Sequence, residues 1–173
     1  MNRCIVDMSE PTAHGTPFAG LTLQNIKKSL IVAGHVAGAV HITDVEDSII
    51  LVASRQVRIH HCTNVDLYLH CASRPIIEDC SNVMFAPIPK VHVSFYHENS
   101  HDLSERMQET SIEEPVENQW DQVDDFKWLK SEPSPNWSIL PEGARLKDDI
   151  WKTVVPGGPG VGLKDILQKV GLK

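Results

Sequence analysis

Gln56, Arg58 and His60 stand at alternate positions of the run Gln56-Val-Arg-Ile-His60. Successive side chains of an extended strand point to opposite faces, so an inward Ile59 leaves these three polar groups together on the outer face. An arginine displayed there offers a planar fork that matches phosphate oxygens and can neutralise the charge that develops during phosphoryl transfer. The neighbouring Gln56 amide can both donate and accept. The competing reading is an ordinary surface ion pair with a nearby carboxylate, which contributes about 0 to 1 kcal/mol. Which carboxylate lies nearby depends on how the chain coils.

Four stretches repeat one another, Leu23-Gln-Asn-Ile26, Ile42-Thr-Asp-Val45, Ile59-His-His-Cys62 and Ile77-Glu-Asp-Cys80, with steps of 19, 17 and 18 residues. A fixed short period is the mark of a solenoid whose units stack to bury a continuous core. The fifth residue after each stretch is again apolar: Ile31, Ile50, Leu67 and Phe85. The intervening runs Leu30-Ile-Val-Ala33, Ser48-Ile-Ile-Leu-Val52 and Val65-Asp-Leu-Tyr-Leu69 are short and rich in β-branched residues, which favours strands. Asn25, Asp44, Asn64 and Asn82 punctuate them as turn formers. An antiparallel sandwich would explain the local pattern but not the register across four units. The expected fold is therefore all-β, a parallel β-helix with three strands in each coil of about eighteen residues.

Stacked coils set the outward positions Thr22, His41, Arg58 and Ile76 in one row and Gln24, Thr43, His60 and Glu78 in the next. Arg58 and Glu78 become diagonal neighbours with Cα atoms roughly 8 Å apart, close enough for Glu78 to brace the guanidinium. Arg55 and Arg74 add positive charge near the turns.

Bulk properties narrow the function classes. The chain has 173 residues and a formal charge of −7, with an isoelectric point near 5.7. That balance argues against a general nucleic-acid or anionic-membrane surface. The longest apolar stretch, Leu30 to Val40, has 11 residues and is too short to span a bilayer. No secretory or myristoylation signal opens the sequence, so cytosol is the expected compartment and no membrane anchor is expected. Cys62 and Cys80 fall at equivalent positions of consecutive coils, where a disulfide is conceivable but a ladder of reduced core thiols is expected. The scattered histidines and the cysteine spacing do not form a zinc site. Asp121, Asp124 and Asp125 lack the spacing of a calcium loop and read as a solvated acidic face. There is no GxxxxGK[ST] loop, so the chain is expected to bind no nucleotide by itself.

Beyond Pro89 the pattern changes. Residues 97 to 125 are polar and acidic, suggesting a mobile loop. Val123, Phe126, Trp128 and Leu129 are expected on one side of a short helix or turn that, with Trp137, Ile139 and Leu140, covers the solenoid. Pro156 to Gly162 reads as a flexible linker. Leu163, Ile166, Leu167 and Val170 follow at helical spacing, in a segment expected to be disordered unless it finds a surface.

Ser54-Arg-Gln-Val-Arg-Ile-His60 and Ser73-Arg-Pro-Ile-Ile-Glu-Asp-Cys-Ser-Asn-Val-Met-Phe-Ala-Pro87 closely resemble the C-terminal domain of the tubulin-folding cofactor C family, as do Trp120-Asp-Gln-Val-Asp-Asp-Phe-Lys-Trp128 and Ser134-Pro-Asn-Trp-Ser-Ile-Leu-Pro141. The resemblance covers about residues 18 to 142. It implies a right-handed parallel β-helix that activates GTP hydrolysis on β-tubulin during assembly of the αβ heterodimer, together with cofactors D and E. A relative linked to retinitis pigmentosa uses the same domain on a small Arf-like GTPase. That makes a non-catalytic module binding tubulin or an Arf-like GTPase the alternative. Carried over, Arg58 is the arginine finger, Gln56 its motif partner and Glu78 the acid that supports it. Arg55, His41, His60, Arg74 and Phe85 become candidates for partner recognition, although Phe85 also aligns with the core positions. GTP and magnesium would belong to the partner, and this chain would act in trans without a substrate pocket of its own.

The implied organisation is a lead-in over residues 1–17, the β-helix domain over 18–142 with a loop at about 90–118, and a flexible extension over 143–173. The implied location is cytoplasmic and associated with the cytoskeleton. The family's N-terminal helical region, connected with tubulin binding, is not seen ahead of the repeat.

Overall fold

The computed structural model describes residues 1–13, 16–92, 117–158 and 160–172. Its strands are β1 (Ile5–Asp7), β2 (Leu21–Lys27), β3 (Leu30–His60), β4 (Thr63–Cys71), β5 (Ile76–Glu78), β6 (Ser81–Pro87), β7 (Asp124–Asp125) and β8 (Trp137–Ile139). Every pairing between them is parallel. β3 runs unbroken through more than one coil, so successive coils hydrogen-bond to their neighbours on the same side of the solenoid. The register sets Leu23 beside Ile42 and Ile59 beside Ile77, stacking the repeated residues in the interior. Ile26, Ile31, Ile42, Val45, Ile50, Val57, Ile59, Leu67, Ile77 and Phe85 form its continuous inner core.

Two corners of each coil are set by residues in left-handed backbone conformation. Asn25, Asp44, His61 and Asp79 have φ of 55, 54, 53 and 51°, and Lys28, Asp47, Asn64 and Asn82 have 48, 47, 55 and 50°. Short polar side chains tolerate this geometry at little cost. They also stitch the coils together: Asn64 Nδ2 donates to Asp47 Oδ1 at 3.0 Å, and Asn82 Nδ2 to Asn64 Oδ1 at 2.9 Å. Cys62 and Cys80 are free, buried thiols. The neighbouring Cys80 thiol, followed by burial, pushes the Cys62 thiol up, away from the reactive thiolate.

The first coil begins earlier than the repeat predicts. β1 pairs with Leu30–Val32, and helix α1 (Ser9–Ala13) packs beside β3. Thr12 Oγ1 accepts from the His35 amide at 3.1 Å. Gly34 permits the contact: its φ is +73°, and a Cβ there would meet Thr12 Oγ1 at 2.1 Å and the Met8 carbonyl at 3.0 Å. Gly34→Ala is expected to destabilise the chain by about 1–3 kcal/mol from backbone conformation alone, read as a lower urea midpoint at unchanged slope.

The segment following the undescribed residues 93–116 forms a further coil in which turns, the expected alternative to a short helix, flank a short strand. Gln119 N donates to Cys71 O at 2.8 Å and Asp124 N to Pro75 O at 2.9 Å. β7 then pairs with β5 and β8 with β6. These backbone hydrogen bonds begin at Gln119, just beyond the loop expected at about 90–118. Of the four side chains expected to line one face, only Val123 is buried; Phe126 and Leu129 are exposed. Strand alternation explains the difference, since it turns Val123 inward and Phe126 outward. Asp125 takes the inward place beside Ile77 and caps the end of the core, its carboxylate accepting from Ser134 Oγ at 2.6 Å and Asn136 Nδ2 at 2.7 Å.

The described residues of the C-terminal extension include two short helices. Helix α2 (Asp148–Thr153), through Trp151, and Val170 at the C-terminal end of helix α3 (Leu163–Lys169) lie in a second apolar cluster with the outward side chains Leu30, Val32, Ile49, Leu51, Tyr68 and Ala86. Trp151 is 1% exposed and meets Tyr68 edge-on at 5.1 Å, while the Leu146 amide donates to the Tyr68 hydroxyl at 2.7 Å. The segment finds the surface on which its order was made conditional, because Leu30–Ala33 and Ile49–Val52 are apolar on both faces. A strand of that kind requires cover on its second side. Ile166, Leu167 and Val170 are buried, at the spacing expected. No helix among the described residues is long and apolar enough to cross a membrane.

Candidate partner-facing site

Three strands from successive coils build the outward face that carries Arg58. Val57 and Ile59 are buried, whereas Arg58 is exposed and Gln56 and His60 are half-buried, the alternation an edge-to-edge strand imposes. The register sets Arg58 beside Ile76 and His60 beside Glu78. Thiol hydrogen bonds from Cys62 to the Ile42 carbonyl and from Cys80 to the Ile59 carbonyl show that Ile42 and Ile59 hold equivalent places. His41, also exposed, therefore precedes Arg58 in the same row.

Glu78 engages His60, with Oε2 3.7 Å from Nδ1. The sequence reading has Glu78 bracing Arg58 across the diagonal. A residue directly opposite is closer than a diagonal one, at about 5 Å against 7–8 Å between Cα atoms, so histidine takes the carboxylate. Among the described residues no ion pair within 4 Å involves Arg58. The central guanidinium is thus presented outward on a hydrogen-bonded sheet, beside an amide and one diagonal step from a carboxylate.

The flanking candidates separate. Arg55 is exposed at a corner, where its carbonyl accepts from Ser73 Oγ at 3.0 Å. Arg74 grips Asp124 with two hydrogen bonds, Nε to Oδ2 at 2.8 Å and Nη2 to Oδ1, tying β5 to the last coil. Phe85 is 0% exposed and packs edge-on against Trp137 at 5.9 Å, so it belongs to the core and not to the contact surface. Its alignment with Ile31, Ile50 and Leu67 already pointed inward. Asp124 and Asp125 are bound to Arg74, Ser134 and Asn136, and the described residues contain no group of three His, Cys, Asp or Glu side chains that could hold a metal ion.

Sequence reasoning missed Phe126. It is 53% exposed, and its amide donates to the Ile77 carbonyl at 3.1 Å, which places it next to Glu78 in the following coil. The signal was the alternation Val123-Asp-Asp-Phe126, legible once the segment is treated as strand. Lys127 just beyond pairs with Asp79 at the coil corner.

Comparison with known proteins bears on this surface. A family model described as "Tubulin binding cofactor C" matches residues 1–126. Tubulin-folding cofactor C of Arabidopsis thaliana is 42% identical over 126 residues, covering 73% of this chain and 34% of that protein. Tubulin-specific chaperone C of Homo sapiens is 37% identical over 126 residues, covering 72% and 34%. Protein XRP2 of Homo sapiens is 30% identical over 97 residues, 56% of this chain and 25% of that protein. The chain thus spans about a third of the length of the cofactor relatives, 34%. A solved structure of tubulin binding cofactor C from Leishmania major superposes with a TM-score of 0.64 at 23% identity, covering 83% of this chain and 87% of the other, and shares the fold. With the family model spanning most of its length and the solenoid matching, this chain belongs to the tubulin binding cofactor C family.

Proposed function

We propose that this chain acts in tubulin folding as a GTPase-activating β-helix domain, stimulating GTP hydrolysis on β-tubulin together with cofactors D and E by inserting Arg58 as an arginine finger. The observation that carries the reading is the exposed Arg58 on a rigid sheet, with no ion-pair partner within 4 Å among the described residues. Hydrolysis builds negative charge on the transferring and bridging phosphate oxygens, and a guanidinium held against them lowers the barrier electrostatically. A side chain offered from a hydrogen-bonded strand needs little backbone ordering when it docks. Gln56 contributes an amide to the same contact, while Glu78, released from His60 on docking, orients the guanidinium. His41, Arg55, His60 and Arg74 contribute to recognition.

The partner supplies GTP, magnesium and the attacking water, so no cofactor resides in this chain. The setting that follows is cytoplasmic, beside the microtubule cytoskeleton. The test is single-turnover hydrolysis of tubulin-bound GTP with cofactors D and E present, comparing wild type with Arg58→Ala; equal rates sink the finger. Glu78→Ala is expected to slow the stimulated step by about tenfold, roughly 1.4 kcal/mol, because it loosens the finger without removing it. Wild-type kinetics in that variant would reduce Glu78 to a surface partner of His60.

A second reading, a non-catalytic module that binds tubulin or an Arf-like GTPase, is favoured by one observation: Glu78 pairs with His60 and leaves Arg58 unbraced. Under that reading, binding persists while hydrolysis is unchanged by the wild-type chain. Parallel assays on tubulin and an Arf-like GTPase identify the target.

A further inference from the structure

We infer that the loop spanning residues 126–136 is a second docking point for the protein partner that takes Arg58, with Leu129 as its apolar anchor. The identity of that partner rests on the function proposed above; the anchor itself rests on the following geometry. Leu129 is 92% exposed, more than any other large apolar side chain among the described residues. A lone exposed leucine is unremarkable, but this one shares its loop with the half-exposed Phe126, which stands next to Glu78 in the adjacent coil. Phe126 therefore borders the arginine face, and Leu129 follows it three residues along the same loop.

The loop is also held in shape. Asp125 accepts from the Lys127 amide at 3.2 Å on one flank, and from Ser134 Oγ at 2.6 Å and Asn136 Nδ2 at 2.7 Å on the other, closing the loop at its base. The Trp128 indole donates to the Glu132 carbonyl at 2.7 Å, and the Lys130 ammonium sits 4.8 Å from the centre of the same ring. Lys127 is anchored to Asp79 on the neighbouring coil. A leucine held at the tip of such a loop inserts into a partner with little ordering cost, which is how small apolar anchors dominate binding energy. Lys127 is taken by Asp79, and Lys130 and Glu132 lie in the same loop, so the matching surface is an apolar pocket with polar groups of both signs at its rim.

The probe is GTP-loaded αβ-tubulin with cofactors D and E, titrated while both stimulated hydrolysis and binding are followed. Leu129→Asp, unchanged in thermal midpoint because the side chain is exposed, is expected to raise the half-saturating concentration at least tenfold, with the rate recovered at high concentration. Leu129→Met is expected to restore affinity. Arg58→Ala shows the opposite split, with binding kept and rate lost. Wild-type half-saturation in Leu129→Asp overturns the anchor, as does a fall in saturating rate without a change in half-saturation. If the wild-type chain binds without accelerating hydrolysis, the finger reading fails, and the binding titration of Leu129→Asp still decides the anchor. No binding by the wild type to tubulin or to an Arf-like GTPase overturns both.

Discussion

Arg58→Ala is expected to reduce the stimulated rate of GTP hydrolysis by about 10³-fold or more, the range an inserted arginine supplies to phosphoryl transfer. The loss falls on the chemical step because the guanidinium meets its charge most strongly in the transition state. Binding of the partner is expected to survive, since Gln56, His60 and Phe126 remain on the same side of the solenoid. Arg58→Lys is expected to recover little: an ammonium keeps the charge but loses the planar fork that reaches two oxygens together. Stability is expected to be unchanged by either substitution, because an exposed arginine outside any ion pair contributes little to folding. A large drop in thermal midpoint with Arg58→Ala would instead mark the residue as structural. Single-turnover rates with a parallel binding titration separate the two outcomes.

Trp151→Ala is expected to be the most destabilising single change, at about 3–5 kcal/mol for truncating a buried tryptophan. For a chain of 173 residues that corresponds to roughly 6–20 °C in Tm. The reason lies in what the side chain covers. Trp151 closes the outer apolar face of the sheet, touching Tyr68 and His92 edge-on at 5.1 and 5.6 Å. Removing it leaves a cavity where α2 meets the sheet and weakens the hold of the entire extension. Amide exchange at Leu146, whose N–H is bound to the Tyr68 hydroxyl, is expected to accelerate along with the loss of stability. An unchanged Tm would mean that the extension contributes nothing to the folded domain. The Arg58 face lies on another side of the coil, so hydrolysis below the lowered transition should stay intact.

The contrast between these residues shows how far sequence reading reaches in a solenoid. Arg58 and Glu78 were legible because a coil repeats its geometry: stacking Ile59 beside Ile77 determines which outward side chains follow. Phe85 was equally legible as core, by the same stacking under Ile31, Ile50 and Leu67. Phe126 was missed since its coil is separated from the others by a long polar stretch that conceals the period. The surface that the extension meets was missed for a different reason. Periodicity reports which face of a strand is buried inside the coil, but it does not report what lies against the other face.

The amino-acid sequence by itself determined the parallel solenoid, the turns at Asn25, Asp44, Asn64 and Asn82, and the outward row that holds Gln56, Arg58 and His60, because each depends on local residue type, alternation and a constant period. Only the tertiary structure decided that Glu78 turns to His60, that Arg74 is taken by Asp124, and that α2 and Val170 cover the outer face of the sheet. Those outcomes are competitions between partners far apart in the chain. They are settled by distance and burial, which no repeat encodes.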